Sequence, residues 1–216
     1  MKRAGSDQQD GPVTGGAIGR WEPLGFDGST KLWNNTSAGA TTGTLDATSM
    51  TAWPTFPGNV AEYAAVPNNA EIQAIGDCTL EAWVKYSAVG GSQCIFGKWK
   101  TFGGITSLGT DLRFYDPNAS ANRSTGFVLG NGAWYHIALC CTNGSPGSAT
   151  VYVNGVAVAT DAWTKMTTDY SWPFIVGQFP GFWPLAGDVN LARFYNRALS
   201  ASEVVRNYQA GLARHQ

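Results

Sequence analysis

The glutamates of the chain are the first candidates for acid–base chemistry, and their spacing argues against it. The sequence contains five of them: Glu22, Glu62, Glu71, Glu81 and Glu203. A retaining glycoside hydrolase needs two carboxyl groups about 5–5.5 Å apart, but none of the five has a carboxylate two residues away. The sequence therefore predicts no catalytic pair. We interpret Glu81 as a strand carboxylate paired with a neighbouring lysine or arginine, the alternative being a polar contact to a ligand.

A histidine with a nearby nucleophile would be the other route to catalysis. His136 lies in a stretch that alternates like a strand, and His215 lies in the C-terminal tail. A triad needs a nucleophile and a carboxylate within hydrogen-bond reach, and the sequence contains no G-x-S-x-G motif. We interpret His136 as structural and predict that the chain is not an enzyme and has no catalytic residues.

Large aromatic residues are concentrated between Trp163 and Trp183, interleaved with proline and glycine. They are Trp163, Tyr170, Trp172, Phe174, Phe179, Phe182 and Trp183. Such rings stack on the apolar faces of sugars, and they serve equally as hot spots of protein interfaces. The alternative is that most of them fill the core. Our candidate ligand-binding residues are Trp163, Trp172, Phe182 and Trp183.

The cysteines and acidic loop residues give no metal site. The spacing of Cys78, Cys94, Cys140 and Cys141 matches no zinc pattern. Buried free thiols are the interpretation we favour, with a Cys78–Cys94 bridge as the alternative. Loop oxygens that a cation could use are carried by Asp111, Asp116, Asn118, Asp161, Asp169 and Asp188. None of these sets has the density of an EF-hand loop, so the metal stays unassigned and no cofactor is predicted.

A hairpin is the most clearly predicted element of the chain. Asn154-Gly155 favours a two-residue type I′ turn, in which both residues have φ > 0. With that turn, Val153 faces Val156 and Val151 faces Val158, which places all four valines on one face. The preceding strand alternates too. Tyr135, Ile137, Leu139 and Cys141 lie on one face, and Trp134, His136, Ala138 and Cys140 on the other.

The flanking sequence predicts further strands and one helix. Thr79 to Tyr86 alternates as a strand, and Gly103-Gly104 is expected to turn the chain. Asp116 to Ser124 is interpreted as a polar loop. Ser200-Ala-Ser-Glu203 is a capping box that starts a helix, and Gly211 is expected to end it.

The N-terminal quarter of the chain is the least patterned. Residues 1–20 are polar and glycine-rich, and we predict a flexible arm. Residues 21–216 form the predicted domain. Within it, residues 31–53 are interpreted as an insertion or long loop.

Composition narrows the class of protein. The 216 residues are only 13% charged and include 27 glycines and 9 tryptophans, which is typical of an all-β domain. The net charge of −1 gives no electrostatic footprint for nucleic acid. No apolar run approaches a membrane span. The first twelve residues do not resemble a secretory signal, so either that export route is not used or a leader was removed.

Three stretches resemble one protein family. They are D-C-T-L-E-A-W-V-K from Asp77 to Lys85, the segment from Trp134 to Ala159 with W-Y-H-I-A and V-Y-V-N-G, and Gly187 to Tyr208. In this order they resemble the laminin-G-like members of the concanavalin-A-like lectin/glucanase jelly rolls, over roughly residues 60 to 210. The resemblance implies an antiparallel two-sheet β-sandwich with one short C-terminal helix. Calcium binding is common among such relatives, but the resemblance assigns it to no residue here.

Two functions are compatible with this resemblance. The first is a non-catalytic, lectin-like module that binds glycans or a partner protein at a cell or particle surface. The second is a structural virion protein, a capsid decoration or tail component, which assembles or oligomerises through the N-terminal arm. Localisation is open, with the virion as one option.

Overall fold

The computed structural model of the protein describes residues 13, 17–27, 32–35, 43–45, 55–60, 62–68, 76–98, 102–144, 146–164, 172–179 and 181–216. The described part of the chain contains fifteen β-strands and one α-helix, α1 (Ala201–Leu212). The strands are β1 (Ala17–Asp27), β2 (Leu32–Asn35), β3 (Gly43–Leu45), β4 (Thr55–Pro57), β5 (Ala64–Val66), β6 (Cys78–Tyr86), β7 (Ser92–Lys98), β8 (Gly103–Leu108), β9 (Asp111–Asp116), β10 (Ala121–Val128), β11 (Trp134–Thr142), β12 (Ser148–Val153), β13 (Val156–Ala162), β14 (Phe174–Val176) and β15 (Ala186–Tyr195).

The strands form two antiparallel six-stranded sheets. The front sheet has the order β10-β9-β8-β7-β14-β5, and the back sheet has the order β1-β15-β6-β11-β12-β13. Strands β2 and β3 connect the two sheets, and β4 pairs with β15. The predicted two-sheet β-sandwich with one C-terminal helix is confirmed.

One hydrophobic core fills the space between the sheets. The back sheet contributes alternate residues such as Leu80 and Leu139, both fully buried. The front sheet contributes the aromatic residues Phe114 and Phe174. Phe174 stacks on Phe194 of the back sheet, with ring centroids 5.5 Å apart. Because side chains alternate along a strand, each sheet must also present a second, outward face.

The predicted hairpin is confirmed in its turn but wrong in its register. Asn154 and Gly155 have φ values of 51° and 79°, as a type I′ turn requires. Val153 pairs with Val156. A β-bulge then shifts the ladder, so Val151 pairs with Ala159 and not with Val158. The four valines therefore do not share one buried face, and the side chain of Val156 is 65% exposed.

Three sequence interpretations of the connections also need correction. Gly103 and Gly104 do not turn the chain but begin β8, where they pair with Lys98 and Gly97. The stretch interpreted as a loop between Asp116 and Ser124 is a turn only at residues 117–120, because strand β10 begins at Ala121. The segment 31–53 contains β2 and β3, so it is not only a loop. Its interpretation as an insertion stays a prediction.

The predicted N-terminal arm extends into the sandwich. Strand β1 begins at Ala17 and pairs with β15, so residues 17–20 belong to the back sheet. Val13 is buried as well, and its amide donates to Asn207 Oδ1 over 2.7 Å. Residues 1–12 and 14–16 lie outside the described residues, and assembly through them stays a prediction.

A buried carboxylate organises the outward face of the back sheet. Glu81 on β6 is 1% exposed and accepts hydrogen bonds from Arg193 on β15 and Asn207 on α1. The Tyr195 hydroxyl lies 3.2 Å from Glu81 Oε1, and His136 Nε2 lies 3.4 Å from Oε2. The interpretation of Glu81 as a paired strand carboxylate is confirmed. Protein groups beneath helix α1 engage both carboxylate oxygens.

The charge balance around Glu81 explains why it stays ionised. Burial alone would raise the pKa of this carboxyl, but the positive charge of Arg193 and the contact with His136 lower it to about 2. Because the pKa of Glu81 is lower in the folded protein than in the unfolded chain, its ionised form stabilises the fold at neutral pH. That contribution is lost as the pH falls from about 4.5 to about 2.

Helix α1 covers this network. It begins at the predicted cap, where the Ser200 hydroxyl accepts from the Glu203 amide and the Glu203 side chain accepts from the Ser200 amide. The helix does not end at Gly211 as predicted, because it continues to Leu212 with Ala213 as the cap. Gly211 is needed for another reason: a Cβ there would collide with the indole of Trp83. That indole is stacked against His215, with ring centroids 4.0 Å apart.

We expect Gly211→Ala to destabilise the protein. In an ordinary helix interior this change stabilises by about 1 kcal/mol, but the added methyl group would overpack Trp83 and cost about 1–3 kcal/mol. Urea denaturation of this variant beside Gln209→Ala, at an exposed position of the same helix, measures the effect. A gain in stability would show that Trp83 does not pack on α1.

We also expect Glu81→Gln to lower the free energy of unfolding at pH 7 by about 3–5 kcal/mol, because it leaves Arg193 buried without its carboxylate. The difference from the wild type should shrink between pH 5 and pH 2, where the wild-type carboxylate becomes protonated. Hydrogen bonds from Arg197 lower the pKa of Glu203 to about 2 as well. Because Glu203 is present in both proteins, its titration does not affect the difference between their free energies of unfolding. A difference independent of pH would contradict this account.

Candidate functional site

The outward face of the front sheet carries a shallow depression, which we call the front-sheet pocket. Its position follows from strand alternation. Ile105, Phe114 and Phe174 point into the core, so their neighbours Gly104, Tyr115 and Ile175 line the outward side. The full lining is Cys94, Gly97, Gly103, Gly104, Thr106, Tyr115, Ile175, Gln178 and Phe179.

The absence of side chains at two positions shapes the floor of this pocket. Gly97 of β7 and Gly104 of β8 are directly paired. A Cβ on Gly97 would lie 2.7 Å from the Gly103 carbonyl oxygen, and one on Gly104 would collide with the Phe96 carbonyl. Glycine is therefore required for the close approach of the two strands. It also leaves backbone rather than side chains at the bottom of the pocket.

One wall of the pocket is the segment that follows β14. Gly177 has φ = 91°, and its amide donates to Ile95 O over 2.8 Å. Phe179 and Phe182 then exchange main-chain hydrogen bonds of 2.9 and 2.8 Å and form a tight aromatic hairpin. The Phe179 ring packs against Tyr115 on the opposite wall, with ring centroids 6.2 Å apart. Phe182, at the tip of the hairpin, is 64% exposed.

Trp183 is held in an unusual backbone conformation beside this hairpin. Its φ is 52°, in the left-handed region that bulky residues rarely adopt. The Trp183 carbonyl accepts a hydrogen bond from the Cys94 amide on β7 over 2.8 Å, and its ring lies 4.8 Å from that of Phe179. Such strain persists only where surrounding contacts enforce it, and it occurs most often at functional sites.

The segment of Trp172 is anchored at the other end of β7, at Lys98. Its carbonyl accepts a hydrogen bond of 2.6 Å from Lys98 Nζ, which also donates to Asn68 Oδ1 over 2.8 Å. The Trp172 residue is 37% exposed. Cys94 and Lys98 are four residues apart on β7, so the segments of Trp183 and Trp172 are anchored near opposite ends of that strand. Gly97, a residue of the pocket floor, lies between these two anchor points in the sequence of β7.

The four predicted ligand-binding residues therefore have different positions. Phe182 and Trp183 lie together at one end of β7, and Trp172 lies at the other. The prediction of Trp163 as a ligand-binding residue needs correction. Trp163 is 1% exposed and belongs to the core, and its indole N–H donates to Phe102 O over 3.3 Å. A ring enclosed in this way has no face for a ligand. Tyr170 lies outside the described residues.

Four of the acidic residues considered as cation ligands are engaged by other groups, and Asp169 lies outside the described residues. Asp116 accepts from the amides of Asn118 and Ala119 and pairs with Arg123. Asp111 pairs with Arg113, and Asp188 with Lys85. Among the residues described, no group of three or more histidine, cysteine, aspartate or glutamate side chains is arranged to hold a metal ion. Calcium remains an expectation from the family without assigned residues.

The four cysteines are buried free thiols, as the sequence interpretation favoured. Cys94 lines the front-sheet pocket, but burial raises the pKa of its thiol to about 12. It is therefore an apolar lining group rather than a nucleophile at neutral pH.

Sequence reasoning missed most of the pocket. Gly97, Tyr115 and Gln178 were not singled out, although Gly97 inside a predicted strand is a recognised sign of close backbone approach. Gln178 gave no such signal, because nothing in its sequence neighbourhood predicts its burial.

Comparison with known protein structures shows the fold in proteins of different size. The sialidase of Trypanosoma rangeli, solved with sialic acid, is 19% identical with a TM-score of 0.69, and the match covers 93% of this chain and 34% of that one. This chain thus spans about a third of the sialidase. Domain 4 of AbnA, a GH43 extracellular arabinanase from Geobacillus stearothermophilus solved with arabinotriose, is 18% identical with a TM-score of 0.67, covering 89% and 98%.

A third structure of the same fold is the binding domain of botulinum neurotoxin DC in complex with SialylT. It is 12% identical with a TM-score of 0.68, and the match covers 92% of this chain and 52% of that one. At such identities the likeness shows the fold alone. In the described part of the chain, no helix has the length and apolar character to cross a membrane.

Sequence comparison identifies the family. No curated protein sequence matches the chain significantly. A family model for Laminin_G_3, of the concanavalin A-like lectin/glucanases superfamily, matches residues 57–205. That range includes the front-sheet pocket and eleven of the twelve strands of the two sheets. The chain therefore belongs to the laminin-G-like Laminin_G_3 family of the concanavalin A-like lectin/glucanase superfamily.

Proposed function

We propose that this protein is a non-catalytic module that binds a carbohydrate across the front-sheet pocket. The observation that carries the proposal is the arrangement along β7, where the glycine floor of the pocket lies between the anchor points of two tryptophan-bearing segments. Exposed aromatic rings offer flat apolar surfaces, and a sugar ring offers apolar C–H faces that fit them. Small-molecule sites of this kind combine apolar walls with a few well-placed polar groups.

The surroundings of the pocket favour binding over chemistry. Tyr115, Thr106 and Gln178 are polar lining groups, but none of the described lining residues carries a carboxylate. Glu81 is on the other sheet and is buried beneath α1. Domain 4 of the arabinanase was solved with arabinotriose, and the neurotoxin binding domain with SialylT, which supports a carbohydrate as the ligand class. The alternative role in a virion stays a prediction.

We expect Trp183→Ala and Trp172→Ala each to weaken glycan binding about tenfold or more, the usual effect of truncating an aromatic hot spot. Both main-chain anchors survive these changes, because they use carbonyl oxygens. A glycan array finds the ligand and calorimetry measures the affinity. Val156→Ala, at an exposed position on the back-sheet hairpin, is the matched control. Undiminished binding in both tryptophan variants would refute the proposed site.

We also expect no release of reducing sugar from the glycans that bind. The described pocket residues offer neither an acid nor a carboxylate nucleophile. Prolonged incubation with each bound oligosaccharide, followed by a reducing-end assay, tests this. Turnover by the wild type that disappears in Trp183→Ala would show that the pocket is an active site.

A further inference from the structure

One polar atom of the front-sheet pocket has no hydrogen-bond partner among the residues that the structure describes. Gln178 is 4% exposed, and its side-chain carbonyl oxygen Oε1 is buried without a hydrogen bond. Burying such an acceptor without a hydrogen bond costs the protein the full desolvation penalty of the group. Unsatisfied buried groups are rare in folded proteins and call for a specific explanation.

A second glutamine shows what a structural role looks like in the same region. Gln93 on β7 is also 4% exposed. Its amide nitrogen donates to Ala88 O and Gly90 O over 2.7 and 3.1 Å, and its oxygen accepts from the Ala186 amide over 2.8 Å. Gln93 thus makes three hydrogen bonds to two backbone segments, whereas Gln178 Oε1 makes none to the described residues.

The position of Gln178 links this missing bond to the pocket. The residue directly follows Gly177, whose amide is hydrogen-bonded to Ile95 O, and it directly precedes Phe179 in the aromatic hairpin. Both Gln178 and Phe179 line the pocket. The hydroxyl of Thr106, another lining residue, lies 3.0 Å from Asn122 Oδ1 and donates there, so it does not donate to Gln178.

We infer that Gln178 is a specificity-determining residue, whose side-chain oxygen accepts a hydrogen bond from a hydroxyl group of the bound carbohydrate. This inference rests on the proposed function and adds the chemistry that selects the ligand. Binding sites that pair a buried acceptor with a ligand hydroxyl reject analogues without that hydroxyl, because the acceptor is then left buried and unpaired. The selected ligand presents a neutral O–H donor at this point rather than a carboxylate, whose oxygens would face the Gln178 oxygen.

The test compares Gln178→Met with Gln93→Met, since methionine is similar to glutamine in length and lacks its hydrogen-bonding groups. We expect the Gln178 variant to unfold at the same or a higher temperature than the wild type, and the Gln93 variant to unfold at a lower one. An equal loss of thermal stability in both variants would mean that Gln178 is structural and would overturn the inference.

Binding is measured with a panel of neutral and sialylated oligosaccharides that includes arabinotriose. We expect Gln178→Met to lower the affinity for the tightest-binding neutral ligand about tenfold. One monodeoxy analogue of that ligand should bind the wild type about tenfold less tightly than the parent sugar does. The same analogue and the parent sugar should bind Gln178→Met with equal affinity. A wild type that binds none of the panel would overturn both the proposed function and this inference. Binding lost in Trp183→Ala but retained in Gln178→Met would overturn the inference alone.

Discussion

The ionised carboxylate of Glu81 is the constraint on which the back half of this sandwich depends. A buried charge is tolerated only when it is paired and hydrogen-bonded, and Glu81 obtains its partners from three different parts of the chain. Arg193 and Tyr195 come from β15, Asn207 from α1 and His136 from β11. Tyr195 and Asn207 also hold the main chain of Val13. The helix, the sheet and the segment before β1 must therefore be in place together.

This network decides which outward face remains available for a ligand. On the back sheet, α1 lies over Glu81, and Tyr208 and His215 lie against Trp83. On the front sheet, the paired glycines Gly97 and Gly104 leave a floor without side chains between the aromatic segments. One sheet thus uses its outward face for stability and the other has a concave surface. The same sandwich architecture supports many unrelated functions, so the argument for binding comes from the front-sheet pocket and not from the fold.

The sequence predicted those features that depend on local pattern. Alternation identified β6 and β11 as strands, Asn154-Gly155 identified the turn, and Ser200 with Glu203 identified the start of the helix. The features it did not predict depend on contacts between distant segments. The bulge opposite Val151, the contact of Gly211 with Trp83 and the burial of Gln178 are examples, since no neighbour in sequence determines them. Trp163 shows the same limit: its aromatic character marks it equally as a ligand contact or a core residue, and only packing distinguishes the two.

The most direct test of the central claim is to follow the tryptophan indole N–H resonances by NMR while the best-binding oligosaccharide is titrated into the protein. We predict that the signals of Trp172 and Trp183, whose segments are anchored near the two ends of β7, shift in proportion to the bound fraction. The signals of Trp163 in the core and Trp83 beneath the C-terminal helix should not move. Shifts confined to Trp83 and Trp134 would place the ligand on the back sheet and contradict the account.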